Sequence, residues 1–149
     1  MYERLLVPLD GSRVAELALD HAAELARRFK SDLVLLRVVF PRELTFNDPD
    51  SEQADLRLDM PGTDAEVSSA QEYVSGLART LSAEGIRVSE AVTEGDAAEE
   101  IVRQAAATGT NLIVMSTHGH GGLKRGRLGS VARAVLELTT IPLLILPYR

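Results

Sequence analysis

The 149-residue chain has no cysteine, no tryptophan, only three phenylalanines and three tyrosines, and no apolar run approaching a membrane span. The missing cysteines exclude disulfides and thiolate chemistry, and three histidines are too few to suggest a closed structural zinc site, despite the His118–His120 pair. A membrane span needs about 20 consecutive apolar residues, so no membrane role is expected. The opening "MYERLLVPLD" lacks the basic, apolar and small-residue regions of a signal peptide. These absences lead to the expectation of a cytoplasmic protein.

Positive charge is also scarce, 16 basic against 22 acidic side chains, for a formal net charge of −6. A chain of that sign is not expected to bind nucleic acid. The distribution is uneven. Residues 116–149 hold five of the basic side chains and a single acid, Glu137. The segment Ser116–Ser130, "STHGHGGLKRGRLGS", contains no acid at all, five glycines and three basic residues. A local positive site on an acidic protein suits a small anionic ligand better than a polyanion.

With 45% apolar and 26% charged residues, the chain reads as one ordinary globular domain, residues 1–149. Apolar runs at 4–9 and 32–40 are separated by a helical pattern over 13–30, with Val14, Leu17, Ala18, His21, Leu25 and Phe29 on its apolar stripe. Residues 41–62, rich in proline and acids, read as an exposed connection. "TDAE" (63–66) and "DAAE" (96–99) are capping boxes that open two further helices, with Gly85 and Gly109 as stops. "IRVSEAVT" (86–93), "NLIVMS" (111–116) and "IPLLILP" (141–147) complete five strands, and "SVARAVLELT" (130–139) a fourth helix. Strands alternating with helices predict a parallel sheet in an α/β three-layer sandwich, with near-continuous apolar strands covered on both faces.

In such sheets ligands bind beyond the carboxyl ends of the strands, where the strand order reverses. Two loops of unusual composition leave apolar strands here, "PLDGS" after the first and Ser116–Ser130 after the fourth. Neither matches G-x-G-x-x-G or the P-loop pattern. Their chemistry is nonetheless that of phosphate binding. Glycines allow backbone N–H groups to approach an anion, and a helix starting at Gly129-Ser130 aims its positive end at the same loop. The Ser130 hydroxyl can serve a phosphate or cap its own helix.

At this point the chain resembles the universal stress protein family. Nucleotide-binding members carry G-x-x-G, nine residues, then G-[ST] after the fourth strand. Gly119 is followed by nine residues and Gly129-Ser130, while Ser116 stands at the first glycine of the pattern. "LLVPLDGS", "LVLLRVV", "TEGDAAEEIV" and "GSVARAVLELTTIPLLILP" are similar to other family segments, in the right order. The resemblance implies a Rossmann-like sheet of order 3-2-1-4-5 and bound ATP. It implies that Asp10 meets the ribose beside Pro8 and Leu9, and that Val38 (or Val39) and Met115 flank the adenine. Gly119, Gly129, Ser130 and Val131 would present phosphate-binding groups, with Ser116 and His118 on the same segment. Any Mg²⁺ would be held mainly by the phosphates.

Two functions follow from this reading. The first is an ATP-dependent regulatory homodimer of the stress response, paired through the edge strand 141–147 and acting on a further protein partner. The alternative is a slow ATPase or phosphoryl-transfer enzyme on the same site, against which stands the lack of an acid beside the expected phosphates.

Overall fold

β1 (Arg4–Leu9) carries Leu5, Val7 and Leu9 toward one face of the sheet and Leu6 toward the other. Apolar side chains in both directions can be buried only by cover on both faces, and that requirement organises the chain. The computed structural model describes residues 1–40, 62–118 and 128–147, and the backbone alone of 42–45 and 57–60.

β2 (Asp32–Val39) pairs with β1 from Arg4↔Asp32 to Leu9↔Arg37, all in parallel. β5 (Val88–Glu94) adds to the outer side of β2, β6 (Leu112–Ser116) to the other side of β1, and β7 (Leu143–Leu146) to β6. The resulting order, β5-β2-β1-β6-β7, is the 3-2-1-4-5 arrangement of a Rossmann-like fold. Strand succession reverses between β1 and β6. α1 (Arg13–Phe29) and α2 (Asp64–Ala83) cover Leu5, Val7, Leu33, Leu35, Leu112 and Val114 on one face. α3 (Ala97–Ala107) and α4 (Ser130–Leu138) cover Leu6, Val34, Leu36, Ile113 and Met115 on the other.

Local sequence sets the helix boundaries. Ser12 caps α1 by accepting from Ala15 N–H, Thr63 and Glu66 form a complete capping box on α2, and Asp96 accepts from Glu99 N–H at α3. Gly85 and Gly109 follow α2 and α3 at φ +87° and +66°, where side chains are strained, which stops both helices.

Three expectations need correction. The connection 41–62 contains an antiparallel pair, β3 (Arg42–Thr45) and β4 (Arg57–Met60), where only an exposed connection was expected. On α1, His21 is exposed, and Leu17 and Phe29 are each about half exposed, at 51% and 52%. The helix buries Ala15, Ala18, Leu19, Ala22, Ala23 and Ala26 instead, because alanines let its backbone lie close to the sheet. Finally, Ser130 does not cap α4. The N-cap is Gly129, which has no side chain to offer.

Candidate functional site

The loop after β1 is fixed by its own polar groups. Asp10 Oδ1 accepts from Ser12 N–H at 2.9 Å, closing an Asx turn, and Ser12 Oγ then accepts from Ala15 N–H at 3.2 Å. The half-buried Asp10 carboxylate is thereby held at the carboxyl end of β1.

The loop after β6 is tied at several points. Ser116 Oγ donates to the His118 carbonyl at 2.7 Å, and Thr117 Oγ1 lies 3.0 Å from His118 Nδ1. Thr117 N–H donates to the Leu146 carbonyl at 2.9 Å, and the Thr117 carbonyl accepts from Gly129 N–H at 2.7 Å. A Cβ on Gly129 would stand 2.7 Å from that same carbonyl oxygen, closer than side chains come. Glycine is therefore required at 129 by the closure of the loop itself, before any ligand is considered.

α4 starts at that closure. α1, α2 and α3 each have a side-chain cap, and α4 has none among the described residues. The first N–H groups of a helix lack intrahelical partners and carry the positive end of its dipole. With Ser130 exposed at the first helical position, this end of α4 can receive an anion.

Between the two loops lies a cavity of about 490 Å³, within the range of small-molecule sites. Pro8, Leu9, Asp10, Val38, Met115, Ser116, His118, Gly129, Ser130 and Val131 all line it. Gly119 and the basic Lys124, Arg125 and Arg127 lie outside the described residues. The structure places Val38 and Val39 differently. Val38 lines the cavity, whereas the Val39 Cγ1 occupies the space where a side chain on Gly62 would stand.

Sequence reasoning missed Arg37, Phe40, Thr117 and the walls supplied by Ala97, Ile101 and Ala132. Arg37 gave a signal, a lone charge inside the apolar run "LVLLRVVF". Its Nη1 donates to the Val38 carbonyl at 3.3 Å. Phe40 was legible from alternation, two residues past Val38. The α3 and α4 walls carried no local signal, since they reach the cavity only by packing across the sheet. Nearby, burial and a 2.9 Å hydrogen bond to Glu16 push the Tyr73 phenol well above its usual pKa, so it remains a donor at all physiological pH. Among the described residues no cluster of three or more metal-ligating side chains occurs, and no helix is long and apolar enough to cross a membrane.

Fold and site together define a doubly wound α/β protein with a cavity at its topological switch point. The model of the universal stress protein family matches residues 1–147, and the chain belongs to that family. It is 29% identical over 157 residues to universal stress protein MJ0577 of Methanocaldococcus jannaschii, covering 97% of this chain and 94% of the relative. A crystal structure of a Burkholderia pseudomallei family member superimposes with a TM-score of 0.71 at 28% identity, covering 99% and 97% of the two chains. Two more distant structures share the fold. One is a universal stress protein in complex with cAMP, with a TM-score of 0.70 at 18% identity, covering 98% of this chain and 97% of the other. The other is an Archaeoglobus fulgidus member in complex with dAMP, with a TM-score of 0.68 at 22% identity, covering 97% of both.

Proposed function

We propose that the protein is an ATP-binding regulatory module that works as a homodimer in the stress response and transmits its nucleotide state to a further protein. The observation that carries the nucleotide part is the uncapped start of α4 facing an apolar cavity whose one lining acid, among the described residues, is Asp10. That set suits a nucleotide. The apolar wall of Leu36, Val38, Ile101 and Met115 takes a base, Asp10 accepts from ribose hydroxyls, and the N–H groups at Gly129–Val131 take phosphate oxygens. Relatives in complex with cAMP and dAMP support an adenine nucleotide as the ligand class. With no second carboxylate on the cavity wall among the described residues, a binding module is favoured over a phosphoryl-transfer enzyme.

The two sheet edges support the dimer. β5 exposes Ser89, Glu90 and Glu94, polar groups that discourage pairing. β7 is "LLIL", with all four residues half-buried, Leu144 and Leu146 packed into one core and Leu143 and Ile145 into the other. Leu136 and Leu138 on α4, just ahead of it in the chain, are each about half exposed. A second copy pairing with β7 across a two-fold axis would cover this apolar edge.

Denaturing the purified protein and chromatographing the released small molecules is expected to yield ATP, and calorimetric titration of stripped protein to show saturable ATP binding. An empty extract together with a flat titration would remove the reading. For the dimer, Leu144→Lys is expected to raise the monomer fraction in sedimentation experiments. An unchanged mass, with circular dichroism showing an intact fold, would count against the β7 interface.

A further inference from the structure

Phe40 is the first residue beyond β2, and strand alternation carries it toward the same face as Leu36 and Val38. Leu36 and Val38 are buried beneath α3 and α4, whereas Phe40 is 56% exposed and forms part of the cavity wall. Aromatic rings are rare in this chain, and the other half-exposed one among the described residues, Phe29, packs edge-on against Tyr2 at 5.7 Å. Phe40 has no ring partner among the described residues. A large apolar ring left in water beside an apolar cavity is the arrangement of a side chain whose packing partner is a ligand.

Its position along the site is informative. β1 lies between β2 and β6, so Phe40 stands two strands from the loop that leads to α4, roughly 10 Å across the sheet. Asp10, at the end of the middle strand, lies between the two. We propose that Phe40 is the base-recognising residue of this cavity, its ring packing on the face of the nucleobase while Asp10 holds the sugar and the start of α4 holds phosphate. The inference rests on the nucleotide reading above and deepens it. Phe40 makes the site select nucleotides over bare polyphosphates.

The test uses the full chain, stripped of bound small molecules, titrated with ATP and separately with inorganic tripolyphosphate. Phe40→Ala is expected to bind ATP roughly 5- to 150-fold more weakly, the range for loss of one base–aromatic stack, and tripolyphosphate as the wild type does. Phe40→Trp is expected to keep ATP affinity and to introduce the chain's sole indole, whose emission changes with ATP and not with tripolyphosphate. Equal ATP affinity in wild type and Phe40→Ala would overturn the assignment while leaving the nucleotide site standing. Equal weakening toward tripolyphosphate, or a large drop in the thermal midpoint of Phe40→Ala, would overturn it by revealing a structural role. A wild-type chain that binds no adenine nucleotide would overturn the base-recognition role and the nucleotide reading together.

Discussion

The two ends of the parallel sheet treat polar groups in opposite ways. At the amino end, charges are matched and polar atoms tied. Asp32 takes hydrogen bonds from Arg87 and Arg4, Arg27 pairs with Glu84, and a further Arg4 N–H donates to the Thr108 carbonyl. Asn111 Oδ1 accepts from Arg4 N–H at 3.1 Å, and Asn111 N–H donates to the Arg4 carbonyl at 3.0 Å. At the carboxyl end, Arg37 has no ion pair among the described residues, Asp10 is oriented by a backbone N–H, and α4 begins without a cap. An end that satisfies its own polar groups contributes to the fold. One that places them along a cavity makes them available, on the reading proposed above, to a ligand.

Substitutions can break this contrast. The largest effect is expected from Gly129→Ala, whose Cβ would meet the Thr117 carbonyl and force the loop open. Overpacking of this kind costs about 1–3 kcal/mol of stability, and ATP affinity should fall with it; denaturant unfolding and calorimetry on the same preparation check both. Asp10→Ala is expected to separate the two properties. Loss of a charged hydrogen bond to the sugar should weaken ATP binding about 10- to 100-fold, while loss of the Asx turn to Ser12 N–H should lower stability by only about 1 kcal/mol. The smallest effect belongs to the amino end, with Asp32→Asn. The hydrogen bond from Arg87 is the main cause holding the Asp32 carboxyl below its ordinary value of 3.8, against the opposing effect of burial. Its contribution is thus present above that ordinary value and is lost as pH falls through the lower, folded one. A partly exposed pair of this kind is worth at most about 1 kcal/mol. Asp32→Asn should therefore flatten the acid limb of the stability curve slightly and leave ATP affinity unchanged. An altered affinity would show that the ends are not independent.

Much of this arrangement was legible in the chain. Apolar runs marked β1, β2 and β6, since a strand covered on both faces has no room for alternation. The capping box at Thr63 and the single side-chain cap at Asp96, where a full box was expected, marked helix starts through local hydrogen bonds alone. The composition of the loops after β1 and β6 marked the place of a site, and the resemblance to the family implied ten residues that line one cavity there. Tertiary packing hid the rest. α1 offers alanines to the sheet and leaves Leu17 and His21 outside, a choice set by how closely two backbones approach. β3 and β4 pair through backbone groups between proline-rich and acidic neighbours, where no apolar pattern announces them. Gly129 read as a phosphate-approach glycine, while its contact with Thr117 is a property of two segments that meet only in space.

That contact also ties together elements that are separate in the chain. The 2.7 Å bond between Gly129 N–H and the Thr117 carbonyl docks the start of α4 on the end of β6, and Thr117 N–H fastens the same residue to Leu146 of β7. The start of α4 and the edge strand β7 are therefore linked through a single residue, Thr117.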